Sequence, residues 1–214
     1  MDNAFIFRHV DHTLLRPTAT WSEIRTLCEE AIAYSMASVC VPPCYVRRIV
    51  DAYGEALPVC TVIGFPLGYD TTAAKCAAAE DAIRAGAREI DMVVNLADVK
   101  NGAFCAITNE IAALKSVAKG NLLKVIVETC YLTEEEKIAL CGCVTEGGAD
   151  FIKTSTGFGS AGAALPDIAL FLRHIGKDVR IKAAGGIRTR ADMVGYLEAG
   201  CARIGTSGAV KALV

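Results

Sequence analysis

Eight short runs rich in valine and isoleucine recur along this chain, and their spacing constrains the fold more than any other feature. They occupy residues 10–14, 37–41, 58–64, 89–94, 123–128, 151–156, 180–185 and 203–207, at intervals of about 20–35 residues. Most end near Gly, Pro, Thr or Asn, as strands do. The segments between them are rich in Ala, Glu and Leu at helical spacing. One runs from Ser22 with Thr20 or Ser22 as N-cap; a second spans 71–85 and ends at Gly86. A third opens Thr133-Glu-Glu-Glu, placing acids where the helix dipole favours them. Ala85-Gly86, Gly148-Ala149 and Ala199-Gly200 read as repeated helix-to-strand turns. Parallel strands need crossovers of a dozen or more residues, so this alternation implies parallel pairing. Eight such units favour an α/β fold closed as a (β/α)8 TIM barrel, with the open doubly wound sheet as the alternative. No linker, charge block or low-complexity segment intervenes, so residues 1–214 are expected to form a single domain.

Composition narrows the function. With 53% hydrophobic and 21% charged residues, the chain has the apolar surface that disordered proteins lack. Twenty-two Lys and Arg against 24 Asp and Glu leave no global basic field for a nucleic acid or an anionic membrane. An anionic ligand must therefore be gripped locally. No apolar run approaches the roughly 18–20 residues of a membrane span, and the N-terminus lacks the basic start and cleavage site of a signal peptide. A cytoplasmic location is expected. The ten cysteines mostly sit in apolar runs, none forms Cys-x-x-Cys, and only His9, His12 and His174 could join them on zinc. They read as small buried hydrophobes in a reducing compartment, with no metal.

A strand buried on both faces should be continuously apolar, and four of these are not. Period-2 alternation puts Ile90, Met92 and Val94 on one face and Glu89, Asp91 and Val93 on the other. Ile152 likewise opposes Lys153, and Ile181 opposes Lys182. If the apolar faces meet the helices, Asp91, Lys124, Lys153 and Lys182 point into the barrel. A salt-bridged interior of three lysines against Asp91, Asp11 and Glu128 would be the purely structural outcome. Two lysines on consecutive strands near the C-terminal ends, where barrel sites lie, favour chemistry instead. Repulsion between two such ammonium groups lowers the pKa of one and exposes a nucleophilic amine. With a carboxylate to move protons, the set suits Schiff-base chemistry on a carbonyl.

Gly157-Phe-Gly159-Ser-Ala-Gly162 matches the dinucleotide fingerprint G-x-G-x-x-G, but the preceding strand carries Lys153, Thr154, Ser155 and Thr156. A flexible loop near a phosphate is the better reading. Gly185-Gly186-Ile-Arg188 and Gly205-Thr206-Ser207-Gly208 follow strands seven and eight, where barrels commonly bind phosphate. Glycines there let backbone amides approach an anion. Enlarging Gly205 should then hurt a phosphorylated substrate selectively.

Taken together, these residues resemble the deoxyribose-phosphate aldolases, class I aldolases of deoxynucleoside breakdown. The resemblance runs from Asp11-His-Thr-Leu-Leu through Ser38-Val-Cys-Val, Thr61-Val-Ile-Gly-Phe-Pro and Glu89-Ile-Asp-Met-Val-Val-Asn. It continues through Lys124-Val-Ile-Val-Glu-Thr, the highly specific Phe151-Ile-Lys-Thr-Ser-Thr-Gly, Ile181-Lys-Ala-Ala-Gly-Gly-Ile-Arg and Arg203-Ile-Gly-Thr-Ser. It implies a (β/α)8 lyase that reversibly cleaves 2-deoxy-D-ribose 5-phosphate to acetaldehyde and D-glyceraldehyde 3-phosphate without metal or organic cofactor. By the match, Lys153 forms the Schiff base, Asp91 and Lys182 handle protons, and Asp11 and Thr13 line the sugar site. Cys40, Lys124, Thr156, Gly157, Gly185, Gly186, Gly205, Thr206 and Ser207 complete the expected substrate site, and a homodimer is the family-based expectation. Two departures stand out. Phe158 occupies a place where some members carry a basic residue beside the phosphate, so the grip is expected to come mainly from backbone amides. The sequence ends at Val214, where some members continue to a tyrosine near the site. Another Schiff-base aldolase, a sugar-phosphate isomerase or an inactive sugar-phosphate binder would share the barrel and loops. An isomerase would not need two inward lysines, and an inactive binder would not need to retain Asp91, Lys153 and Lys182 together.

Overall fold

The computed structural model describes residues 1–214 and contains all eight expected strands. They are β1 Val10–Thr13, β2 Ser38–Val41, β3 Val59–Ile63, β4 Glu89–Val93, β5 Leu122–Ile126, β6 Phe151–Lys153, β7 Arg180–Ala184 and β8 Arg203–Thr206. Each pairs in parallel with its neighbours in sequence, and β1 also pairs with β8, so the sheet closes. Closure leaves no exposed edge strand and settles the barrel against the open sheet.

Ten helices surround it. They are α1 Asn3–Phe7, α2 Trp21–Ala33, α3 Val46–Tyr53, α4 Thr72–Arg84, α5 Leu96–Lys100, α6 Phe104–Ala118, α7 Glu134–Glu146, α8 Leu165–His174, α9 Arg190–Glu198 and α10 Ala209–Leu213. Thr20 caps α2 and Thr133 caps α7, each in a reciprocal box with the glutamate three residues on, Glu23 and Glu136. At the other ends, Gly86, Gly148 and Gly200 adopt φ of 106°, 73° and 102°. Behind α4, the amides of Gly86 and Ala87 bond back to Ile83 and Ala82, a left-handed exit that glycine permits.

The alternation predicted from the sequence is the one observed. Ile90, Met92, Val94, Ile152 and Ile181 join a core of 47 buried residues between the strands and the helices. The opposite face of the same strands lines the barrel, and there charged residues stand among Val93, Ile126, Phe151 and Ala184. All ten cysteines are free and six are buried. No helix is long and apolar enough to cross a membrane. The expected strand 151–156 stops at Lys153, although the Thr154 amide still donates to Lys182 O at 3.1 Å. Thr154 Oγ1 donates to Ala184 O at 3.2 Å and accepts from Ala184 N at 3.1 Å, continuing the contact with β7 by other means.

Candidate active site

At the C-terminal end of the barrel lies a cavity of about 310 Å³. Its wall is built from the ends of β1 (Thr13 to Arg16), β6 (Lys153, Thr156 to Phe158), β7 (Ala184 to Arg188) and β8 (Gly205 to Ser207). Nine of the residues expected from the sequence line it: Thr13, Lys153, Thr156, Gly157, Gly185, Gly186, Gly205, Thr206 and Ser207. The other five, Asp11, Cys40, Asp91, Lys124 and Lys182, are wholly buried and do not line it. Lys153 joins the two sets.

The buried set is one connected cluster centred on Asp91. Its Oδ2 accepts from Lys153 Nζ at 2.8 Å and from Lys182 Nζ at 2.7 Å. Its Oδ1 accepts from Lys124 Nζ at 2.8 Å and from the Cys60 thiol at 3.1 Å. Lys182 also donates to Asp11, and Lys124 reaches Glu89 Oε2 at 2.6 Å. Arg203 bonds both Asp11 and Glu89.

Burial alone would push the Asp91 carboxyl up, but Lys124, Lys153 and Lys182 together hold it well below the usual carboxylate range. Asp11 is likewise held low against its burial, chiefly by Lys182 and Lys124. Burial would push Lys182 down, yet Asp11 and Asp91 hold it far above the usual lysine range. Lys124 is held well above it too, with Asp91 the largest influence opposing burial. Lys124 and Lys182 are therefore locked cations, each gripped by more than one carboxylate. Lys153 touches Asp91 alone and faces the cavity.

These shifts fix a pH dependence of stability. Carboxyls lowered on folding contribute stability above their unfolded value, near 3.9 for aspartate, and lose it as pH falls through the folded value. Thermal stability is expected to fall below about pH 4 more steeply in the native protein than in Asp91→Asn. Melting curves across pH 2–6 read the slopes, and parallel slopes would contradict the cluster's contribution.

Several details differ from the sequence reading. Glu128 pairs with no lysine; Glu89 is the third carboxylate among them. Glu128, in the left-handed region at φ 55°, accepts from Thr156 Oγ1 and from Thr156 N at 3.1 Å, pinning the loop after β6. The hydroxyls of Thr156 and Thr206 are thereby committed: Thr206 Oγ1 donates to Ile187 O at 2.7 Å and accepts from Gly208 N at 3.0 Å. The amides of Arg188 and Thr189, at the start of α9, are taken by Asp192 at 3.0 and 2.9 Å. That helix start adds little for an anion.

Two arginines, Arg16 and Arg188, line the cavity. Side-chain cations as well as backbone amides thus face the cavity, although the Arg16 guanidinium also bonds Glu23. Arg188 was visible within the Gly-Gly-Ile-Arg run; Arg16 carried no signal of its own. The fingerprint-like loop has a packing role. A Cβ on Gly162 would lie 2.2 Å from Gly185 O, so these glycines let two loops cross in contact.

Gly205 faces inward, where a Cβ would lie 3.1 Å from the Ala184 Cβ and 3.2 Å from Lys182 Cε. Gly205→Ala should thus disturb Lys182 and lower turnover of phosphorylated and unphosphorylated sugars alike. A loss confined to the phosphorylated sugar would contradict this placement.

Cys40 and Cys60 face each other across β2 and β3. Their sulfurs and an Asp91 oxygen lie within 4.8 Å of one another. Three ammonium groups already surround that carboxylate, an environment that repels a metal ion.

A family model for DeoC/LacD family aldolases matches residues 5–212. Deoxyribose-phosphate aldolase of Clostridium botulinum (strain Alaska E43 / Type E3) is 57% identical over 213 residues, covering 100% of this chain and 96% of that protein. The Clostridioides difficile (strain 630) deoxyribose-phosphate aldolase is 52% identical over 208 residues, 97% and 95% of the two chains. The solved, tetrameric deoxyribose phosphate aldolase of Aeropyrum pernix superposes with a TM-score of 0.92 at 32% identity, covering 99% of this chain and 91% of that one. With a match this long in sequence and this close in backbone, the chain belongs to the DeoC/LacD family of aldolases.

Proposed function

We propose that this aldolase reversibly cleaves 2-deoxy-D-ribose 5-phosphate to D-glyceraldehyde 3-phosphate and acetaldehyde through an imine on Lys153, in the catabolism of deoxyribose phosphate. One observation carries the reading: of the three lysines around Asp91, Lys153 alone opens onto the cavity, and the other two are locked cations.

The neutral Lys153 amine attacks C1 of the open-chain aldehyde, and loss of water forms the imine. Asp91, assisted by Lys182 and acting through a water, takes the proton of the 3-hydroxyl. The C2–C3 bond breaks and its electron pair flows through C2 to the imine nitrogen, leaving an enamine as D-glyceraldehyde 3-phosphate departs. Protonation at C2 and hydrolysis of the resulting imine release acetaldehyde and restore the amine. Asp11 and Lys124 hold the proton-handling pair from below, and Cys40 lies beneath the floor. The phosphate sits at the mouth, among Arg16, Arg188 and the backbone of Gly185, Gly186, Thr206 and Ser207. Thr13, Thr156 and Gly157 line the sugar between mouth and floor.

A coupled assay for each product tests the reaction. Hydrogen bonds to a charged group are worth about 1.5–3 kcal/mol each, so losing several should lower kcat/KM for unphosphorylated 2-deoxyribose by at least about 10²-fold. Equal values for the two sugars would sink the phosphate site. A homodimer acting in the cytoplasm, on this small molecule alone and without nucleic acid or membrane, belongs to the same proposal. Sedimentation equilibrium reads its mass.

A further inference from the structure

Every strand sends an ionisable side chain into the barrel: Asp11 on β1, Cys40 on β2, Cys60 on β3, Glu89 and Asp91 on β4, Lys124 on β5, Lys153 on β6, Lys182 on β7 and Arg203 on β8. The register makes part of this arrangement unfavourable by itself. Lys153 pairs with Lys182, and Lys182 pairs with Arg203, so three cations stand side by side on adjacent strands. Like charges in register repel. The compensating carboxylates come from β1 and β4.

Asp91 accounts for two of those cations. Arg203 is left over, because it touches neither Asp91 nor the cavity. Its guanidinium instead bonds Asp11 Oδ1 and makes a two-pronged pair with Glu89 at 3.1 and 3.2 Å. Each carboxylate also holds a lysine, Asp11 on its other oxygen and Glu89 on the Oε2 it shares with Arg203. Asp11 Oδ2 accepts from Lys182, and Glu89 Oε2 lies 2.6 Å from Lys124. Arg203 is thus one carboxylate away from both locked cations, and each of those is one carboxylate away from Lys153.

The charges inside the barrel do not balance. Among the carboxylates and the nitrogen cations alone, four cations (Lys124, Lys153, Lys182, Arg203) face three carboxylates (Asp11, Glu89, Asp91). A neutral Lys153 leaves three against three. Out of water an unmatched charge is costly, and arginine is the cation that cannot relieve the excess by shedding its own proton. Its planar fork also suits two carboxylates at once.

We propose that Arg203, together with Glu89, is a positioning pair for the Schiff-base reaction: it holds Asp11 and Glu89 so that Lys182 and Lys124 stay on Asp91, and its permanent charge leaves the interior one cation in excess while Lys153 is protonated. This rests on Lys153 being the Schiff-base residue. Neither member of the pair reaches the substrate.

The test is the pH profile of kcat/KM for 2-deoxy-D-ribose 5-phosphate in the full-length protein. Its acid limb reports the proton that must leave the free enzyme before an amine can attack. Arg203→Met removes a positive charge and should move that limb up by about one pH unit. Glu89→Gln removes a negative charge and should move it down by about as much. Arg203→Lys keeps the charge but not the fork; the limb should stay in place while kcat falls at least about tenfold with KM little changed. A merely structural pair would move both limbs the same way, or neither, and either result overturns the proposal. Should Arg203→Met fail to fold, an unmoved limb in Glu89→Gln is enough to overturn it. Borohydride trapping with acetaldehyde on the native protein separates the two levels. No adduct on Lys153 would defeat the Schiff-base reading itself, whereas a normal adduct with unmoved limbs would defeat only the role of Arg203 and Glu89.

Discussion

Lys153→Ala is expected to lose both carbon–carbon cleavage and the capture of acetaldehyde as a reducible adduct. The imine is the electron sink of the reaction, and an alanine leaves no amine to form it. The two neighbouring lysines cannot stand in. Lys182 is held between Asp11 and Asp91, and Lys124 between Asp91 and Glu89, each wholly buried and held as a cation. Neither lines the cavity. Lys182→Ala should differ in kind: most turnover is lost, yet the amine that forms the adduct remains. Product assays and borohydride trapping on both variants read this contrast. A Lys153→Ala protein within tenfold of native turnover would contradict the assignment.

Asp91→Asn should lower turnover roughly 10²–10⁴-fold, the range typical of a general acid–base group. The side chain keeps its shape but loses the charge on which three ammonium groups and the Cys60 thiol converge. Imine formation needs only the amine and a carbonyl, so it should suffer less than cleavage, which needs a proton taken from the 3-hydroxyl. Single-turnover trapping set against product release separates the two steps. Near-normal turnover would reduce Asp91 to a structural counter-ion. Melting temperatures guard against confusing lost chemistry with lost fold, since the same carboxylate also organises the interior.

What the sequence disclosed, and what it withheld, follows from the range over which each feature is decided. Strand positions, caps and the inward direction of Asp91, Lys124, Lys153 and Lys182 are local, set by a two-residue alternation and a few flanking residues. They were legible. Pairing across the barrel is not local, because it depends on closure and on the stagger of one strand against the next. Glu128 and Glu89 look equally suited to meet a lysine in the sequence. Only the closed barrel shows that the Glu89 side chain reaches Arg203 and Lys124, whereas Glu128, beyond the end of β5, is buried against Thr156. The closeness of Gly205 to Lys182 was hidden for the same reason: it appears only when β8 is laid beside β7. Arg16 lies beyond the end of β1 in a segment with no periodicity, and closure alone brings it to the cavity that Arg188 also lines.

Which amine becomes covalent decides the mechanism most directly. Native protein is incubated with acetaldehyde, reduced with borohydride, digested and mapped by mass spectrometry. A single ethyl group on Lys153 is the predicted result. An ethyl group on Lys182 or Lys124 instead would contradict the reading of those two as locked cations, and with it the mechanism.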